Sequence, residues 1–251
     1  MSQDNVIYVK KYNATDSFLF PVNRREIWRY SGYLDHTKKK DDELERLLDE
    51  VIDELKDSFQ FQVCYRRMKV DWENGIPVLP FSCDSKDLAK CLKGCKEIII
   101  FAATIGLGID RKIARYERFS PAKALLIHAY GAERIESLCD GFCEDIRKEV
   151  EKEGLWCSPR FSPGYGDVPL ETQTDFFRLL DCNRKIGISL NDSLLMVPSK
   201  SVTAIFGIGD CGNKKTVLKD NKCESCNNKN CEYRNTNNLT EVKNIYEEGM
   251  E

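Results

Sequence analysis

The run from Pro121 to Glu153 constrains this chain more than any other stretch, because it reads as one long helix. Pro121 follows Ser120 at a first-turn position, where a missing N–H is harmless, and Gly154 supplies the stop. Leu125, Ile135, Leu138, Phe142, Ile146 and Val150 recur at helical spacing and mark the side to be buried. Such a helix needs an apolar surface to lie on. Glu97 to Ala103 is a continuous apolar run suited to a central strand. Phe59 to Val70 alternates apolar and polar residues and reads as a strand exposed on one side. Leu194–Val197 and Val202–Phe206 read as strands parted by a turn at Pro198 to Ser201.

Further helices fill the gaps. Leu44, Leu47, Leu48, Val51, Ile52 and Leu55 give Lys38 to Lys56 an amphipathic pattern with a solvated outer face. Asn23 caps a short helix through Arg29, with Gly32 as its stop, and Asp84 caps another through Leu92. Ile109 to Phe119 is helical, as is a stretch near Glu171 to Leu180, followed by a turn at Asn183 to Gly187. Helices interleaved with antiparallel-looking strands predict an α+β fold, a mixed sheet of antiparallel type with long helices and a Cys-rich C-terminal tail. Residues 1–209 are expected to form the domain and 210–251 the tail.

At 251 residues the chain can bury a large core without disulfide staples. Its 31% charged residues and net charge of −3 give no basic footprint for nucleic acid or an anionic membrane. No apolar run reaches transmembrane length and Met1 to Lys10 lacks a secretion signal, so a cytoplasmic location is expected. With only His36 and His128, polyhistidine metal sites and Ser-His-Asp triads are disfavoured, and His128 in its apolar helical run reads as a core histidine. Thr104-Ile105-Gly106-Leu107-Gly108 lacks the spacing of a phosphate loop and reads as a tight strand-to-helix turn. Cys139 and Cys143, four apart on one helical face, suit two small core residues better than a thiol pair.

Two stretches carry candidate chemistry. In Arg160-Phe161-Ser162-Pro163-Gly164-Tyr165, Pro163 presets φ and Gly164 accepts φ > 0, which brings bare backbone to the surface. Arg160 can clamp a carboxylate in bidentate fashion, and Tyr165 offers a flat ring with a hydroxyl tip; an ordinary surface turn also satisfies this composition. The second stretch is the tail. Cys211, Cys223, Cys226 and Cys231 fall within twenty-one residues with almost nothing apolar between them. Their spacing suits an iron-sulfur cluster and a structural zinc comparably, and a reduced tail holding no metal is the alternative.

Three segments together resemble the reactivation domain of cobalamin-dependent methionine synthase. They are Thr104-Ile-Gly with Gly108-Ile-Asp; Ala129-Tyr-Gly131 with Glu136 five residues beyond; and Arg160-Phe-Ser-Pro-Gly-Tyr165 continuing through Leu179-Leu180 and Ile186-Gly187 to Met196-Val-Pro198-Ser-Lys-Ser201-Val202. The resemblance covers roughly residues 95 to 210 and implies a stand-alone version of that domain. It implies that Arg160 contacts the carboxylate of S-adenosylmethionine and that Ser162 and Gly164 lie against the cofactor. It further implies that Tyr165 reaches toward the corrin and that Glu136 offers negative charge near the sulfonium and cobalt, which makes these two the candidate catalytic residues. Ala132 departs from the pattern, standing where some relatives are expected to have a second acid.

The implied reaction is reductive reactivation of cobalt(II) cobalamin, in which methylation traps the small amount of cobalt(I) formed. The implied partners are a cobalamin-bearing methionine synthase or related corrinoid protein and an electron donor such as flavodoxin or ferredoxin. A cluster in the tail could stand in for that donor. The competing expectation is a corrinoid-binding or electron-transfer module that has lost the methyl donor.

Overall fold

A computed structural model describes residues 6–13, 22–33 and 42–210. In chain order the elements are β1 (Tyr8–Tyr12), α1 (Arg24–Tyr30), α2 (Asp42–Leu55), β2 (Phe61–Lys69), β3 (Asp71–Glu73), β4 (Ile76–Val78), α3 (Lys86–Leu92) and β5 (Cys95–Thr104). There follow α4 (Gly108–Tyr116), α5 (Pro121–Glu151), β6 (Leu155–Cys157), α6 (Thr172–Leu180), α7 (Cys182–Ile186), β7 (Ser189–Leu190), β8 (Met196–Val197) and β9 (Ser201–Asp210). The fold is α+β. Five strands in the order β1-β2-β5-β9-β6, every neighbouring pair antiparallel, make the main sheet. None of the described helices is long and apolar enough to cross a membrane.

The apolar run of β5 is continuous because both faces of the sheet are covered. Ile99, Phe101 and Ala103 join one cluster with Ile127, Leu138 and Phe142 of α5 and with Leu48 and Val51 of α2. Ile98, Ile100 and Ala102 alternate to the other face, against Leu88 and Leu92 of α3 and Phe176 and Leu180 of α6. The long helix does lie across the sheet, but its buried stripe is displaced by one residue at the start. Leu125 is 41% exposed, and Leu126 and Ile127 go inside instead. Cys139 is buried and Cys143 packs against the same core.

The strand β2 differs from expectation, since it is not open to solvent on one side. Phe61 and Val63 face the α5 cluster, while Cys64 and Met68 face the opposite one. Its alternation reflects two apolar faces of unequal depth. Two boundaries also move. Ser85, not Asp84, caps α3, accepting from Leu88 N–H, and Asn183–Ile186 belongs to the short helix α7, which Gly187 ends at φ +69°. Met196–Val197 pairs with β7 outside the main sheet, whereas Val202–Phe206 is part of the longer β9.

Two charged arrangements fasten the α5 layer. Glu54 of α2 accepts from Lys112 Nζ at 2.7 Å, from Lys123 Nζ at 2.9 Å and from the Tyr116 hydroxyl at 2.9 Å. The hydrogen bond from Lys112, with help from Lys123 and Tyr116, holds its carboxyl down at about 2.

The second arrangement sits where β5 and β9 pass under α5. Lys200 O accepts Ile105 N–H at 3.2 Å, Ser201 Oγ donates to Thr104 Oγ1 at 2.9 Å, and Gly106 N–H donates to the same Thr104 oxygen at 3.1 Å. The Lys200 side chain crosses α5 at Gly131, where an added Cβ would stand 3.0 Å from Ile109 Cγ2 and 3.2 Å from Lys200 Cγ. Its ammonium then meets His128 Nδ1 at 2.9 Å. His128, read from the sequence as a core histidine, is instead an exposed residue of α5. Desolvation lowers both groups, Lys200 to about 8, and the lysine's charge further disfavours protonation of His128.

Two pH dependences follow from these arrangements. Glu54 titrates below its ordinary 4.5, so its contribution is present above pH 4.5 and is lost as pH falls toward about 2. Glu54→Gln should cost about 1 kcal/mol or less, because the group is partly solvated, and should flatten the acid limb of a plot of melting temperature against pH. Lys200 titrates at about 8 instead of 10.5, so between those values the unfolded chain binds more protons and stability rises with pH. Lys200→Met should remove that rise in chemical denaturation followed from pH 7 to 10.5.

Candidate functional site

The segment from Ser158 to Leu170 leaves β6 as an extension of the sheet edge. Ser158 N–H donates to Gly207 O at 2.8 Å, and Phe161 exchanges two backbone hydrogen bonds with Ile205, at 2.7 and 2.8 Å. Successive residues of extended backbone point to opposite faces. Phe161 therefore packs into the cluster beneath α3 and α6, and Arg160 turns toward α5.

The Arg160 guanidinium meets two carboxylates of α5, one helical turn apart. Nη2 lies 2.6 Å from Glu136 Oε2, and Nη1 is paired with Asp140 Oδ1. The arginine side chain is 10% exposed, against 41% for Glu136 and 68% for Asp140. Burial opposes the guanidinium's charge, but the surrounding groups, Asp140 and Glu136 among them, hold it well above its ordinary value. Cys139 and Cys143 lie beside it as neutral thiols. Burial pushes both up, Cys143 to about 11, against the opposing pull of Arg160.

Beyond Arg160 the chain makes the expected bend. Tyr165 N–H donates to Ser162 O at 3.1 Å, Val168 N–H to Tyr165 O at 3.0 Å, and Gly164 N–H to Val168 O at 3.0 Å, with Gly164 at φ +83°. The Tyr165 side of the bend faces outward, at 64% exposure. The far end is tied to α3. The Asp167 carboxylate accepts from the Ser85 hydroxyl and from Lys86 N–H at 2.8 Å, and those bonds, the Ser85 one foremost, hold it below its usual range. Gly166 sits at φ +55°, and a Cβ there would lie 2.7 Å from Asp87 Oδ2 and 3.0 Å from Phe161 Cζ, so glycine suits the position where the bend approaches α3.

The residues expected to act together thus divide. Arg160 and Glu136 are brought into direct contact, Ser162 and Gly164 form the bend, and Tyr165 stands at its outer edge. Arg160 was expected to await a ligand carboxylate; the structure gives it two internal ones. Asp140 was missed. Its signal was present, since it lies four residues after Glu136 and shares its helical face. Of the other segments that carry the family resemblance, Thr104–Gly106, Gly131 and Pro198–Ser201 converge on the Lys200 crossing, whereas Leu179, Leu180, Ile186 and Met196 pack in the cluster on the opposite face of the sheet. Next to Ala132, Glu133 is buried against Arg134 at 2.6 Å and accepts Asn23 N–H at 3.0 Å, so that acid fastens α1. Among the described residues no three His, Cys, Asp or Glu are gathered as a metal site. Cys211, Cys223, Cys226 and Cys231 lie outside the described residues.

No curated protein matches the chain. Among solved structures, the chain is similar to the MetH reactivation domain, crystallised bound to AdoHcy, with a TM-score of 0.59 over 80% of this chain and 78% of that one at 15% identity. That likeness concerns the fold. Residues 85–213, more than half of the chain, match the family described as the vitamin B12 dependent methionine synthase activation domain. They run from the cap of α3 through the Arg160 bend to the end of β9, and the chain is a member of the vitamin B12 dependent methionine synthase activation domain family.

Proposed function

We propose that this protein binds S-adenosylmethionine at the Arg160 bend and serves the reductive reactivation of cobalt(II) cobalamin carried by a methionine synthase or related corrinoid protein, in the cytoplasm. The observation that carries the reading is a buried guanidinium beside a glycine bend, in a chain of the activation-domain family. The structural neighbour's ligand, AdoHcy, is the demethylated product of that methyl donor.

The residues present fit an α-amino carboxylate bearing a sulfonium. Arg160 is a buried cation paired with two carboxylates of α5, Glu136 and Asp140, which have solvent access. In this reading Arg160 takes the ligand carboxylate, the backbone of Ser162 and Gly164 lines the bend, Glu136 faces the sulfonium, and Tyr165 meets the corrin of the partner. S-adenosylmethionine supplies an electrophilic methyl group, whose transfer to cobalt(I) draws an unfavourable one-electron reduction forward. The chain's own part is positioning and exclusion of water, so no side chain need exchange a proton. The electron comes from a flavodoxin- or ferredoxin-like donor, or from an iron-sulfur cluster on Cys211, Cys223, Cys226 and Cys231; a structural zinc there is the alternative.

A second reading draws on the internal pairing of Arg160. A guanidinium already neutralised by two carboxylates needs no ligand, which suits a corrinoid-binding or electron-transfer module without a methyl donor.

Calorimetry with S-adenosylmethionine separates the two. The first reading expects binding that Arg160→Ala weakens by about 30-fold or more, along with methylcobalamin absorbance when the protein is mixed with cobalt(II) methionine synthase and reductant. Absence of any binding heat would leave the second. For the tail, anaerobically purified protein should carry iron and sulfide that are lost when Cys223 and Cys226 are replaced by Ser. Zinc in their place would give the tail a structural role.

A further inference from the structure

The Arg160 cluster contains more negative charge than its cation needs. Arg160 faces Glu136 and Asp140, and the buried thiols of Cys139 and Cys143 stay neutral, so the group bears one net negative charge. S-adenosylmethionine bears one net positive charge, from a carboxylate, an ammonium and a sulfonium. The totals cancel, and each charge has an opposite partner when the internal carboxylates face the ligand's two cations and the guanidinium takes the ligand's carboxylate.

The two acids are not equivalent. Arg160 is the most enclosed of the three, at 10% exposure. Glu136 is the more enclosed acid, and its Oε2 lies 2.6 Å from Nη2. Asp140 lies a turn further along α5, is more than two-thirds exposed, and leaves Nη1 by a side-chain rotation into solvent. A carboxylate arriving at Nη1 replaces one anion with another, so the buried guanidinium is never left unpaired. Displaced Asp140 has then given up the cation it is paired with here.

We propose that Asp140 is the specificity-determining residue of this site: it occupies Arg160 until an α-amino carboxylate arrives, then yields the guanidinium to the carboxylate and takes the ammonium. This rests on the reading of the Arg160 bend as the cofactor site. For a zwitterion the exchange gives Asp140 a new cation in place of the guanidinium, and for a carboxylate lacking the amino group it gives none. Asp140 thereby selects for an intact amino-acid end on the nucleoside.

The test is calorimetry on the full chain with S-adenosylhomocysteine, its deamino analogue, which keeps the carboxylate alone, and 5′-deoxy-5′-methylthioadenosine, which has neither group. The unmodified protein should prefer S-adenosylhomocysteine to the deamino analogue by about tenfold or more. Asp140→Asn should reduce that preference to about threefold or less, Asp140→Glu should retain it, and methylthioadenosine should bind both variants alike. The position is exposed and Asn is isosteric, so equal melting temperatures serve as the folding control.

If Asp140→Asn preserves the full preference while S-adenosylhomocysteine still binds and Arg160→Ala still weakens it, the assignment of Asp140 is overturned alone. If S-adenosylhomocysteine fails to bind the unmodified protein, or binds Arg160→Ala equally well, the cofactor site itself falls and takes this assignment with it.

Discussion

The structure depends on the pairing of β5 with β9, two ten-residue strands that run antiparallel at the middle of the sheet and are covered on both faces. Ile98 to Ala103 of one strand and Ala204, Ile205, Phe206 and Ile208 of the other enter one or other of two apolar clusters. Fully burying a Phe or Ile contributes about 1.5–3 kcal/mol, so the pair and the helices on it form the main apolar reservoir of the fold. Everything near the Arg160 bend is referenced to this frame. The bend begins as a backbone bridge to Ile205 of β9, and the helix that presents Glu136 and Asp140 lies on the same strands.

Much of this was legible from residue order. The length of α5, its proline start and glycine stop, and the apolar run of β5 follow from local chemistry, and all are present. The failures have identifiable causes. The Leu125-Leu126-Ile127 run offers three adjacent apolar residues, and only the angle at which α5 crosses the sheet decides which face inward. Asp84 and Ser85 both make good caps; the Asp167 carboxylate, eighty-two residues after Ser85, closes around the second. β2 looked half exposed because nothing local announces that α7 will cover its other face.

The site was legible in part for the same reason. A Pro-Gly bend flanked by Arg and Tyr is a local pattern, and its conformation is as read. The partner of Arg160 is not a local matter, since it depends on α5 bringing two acids against a strand that follows twenty residues later. Lys200 and His128 show the same limit. Neither residue suggests the other, and their contact exists because Gly131 leaves a gap for the lysine to cross the helix.

The bend is moored at both ends, at Phe161 by the sheet and at Asp167 by the first turn of α3, with the few residues between them cross-linked by their own backbone hydrogen bonds. A segment so tethered has little conformational freedom left to surrender when something settles against it. A ligand bound there, as proposed, would meet a shape already in place, with the side chains of the facing helix left to adjust to it.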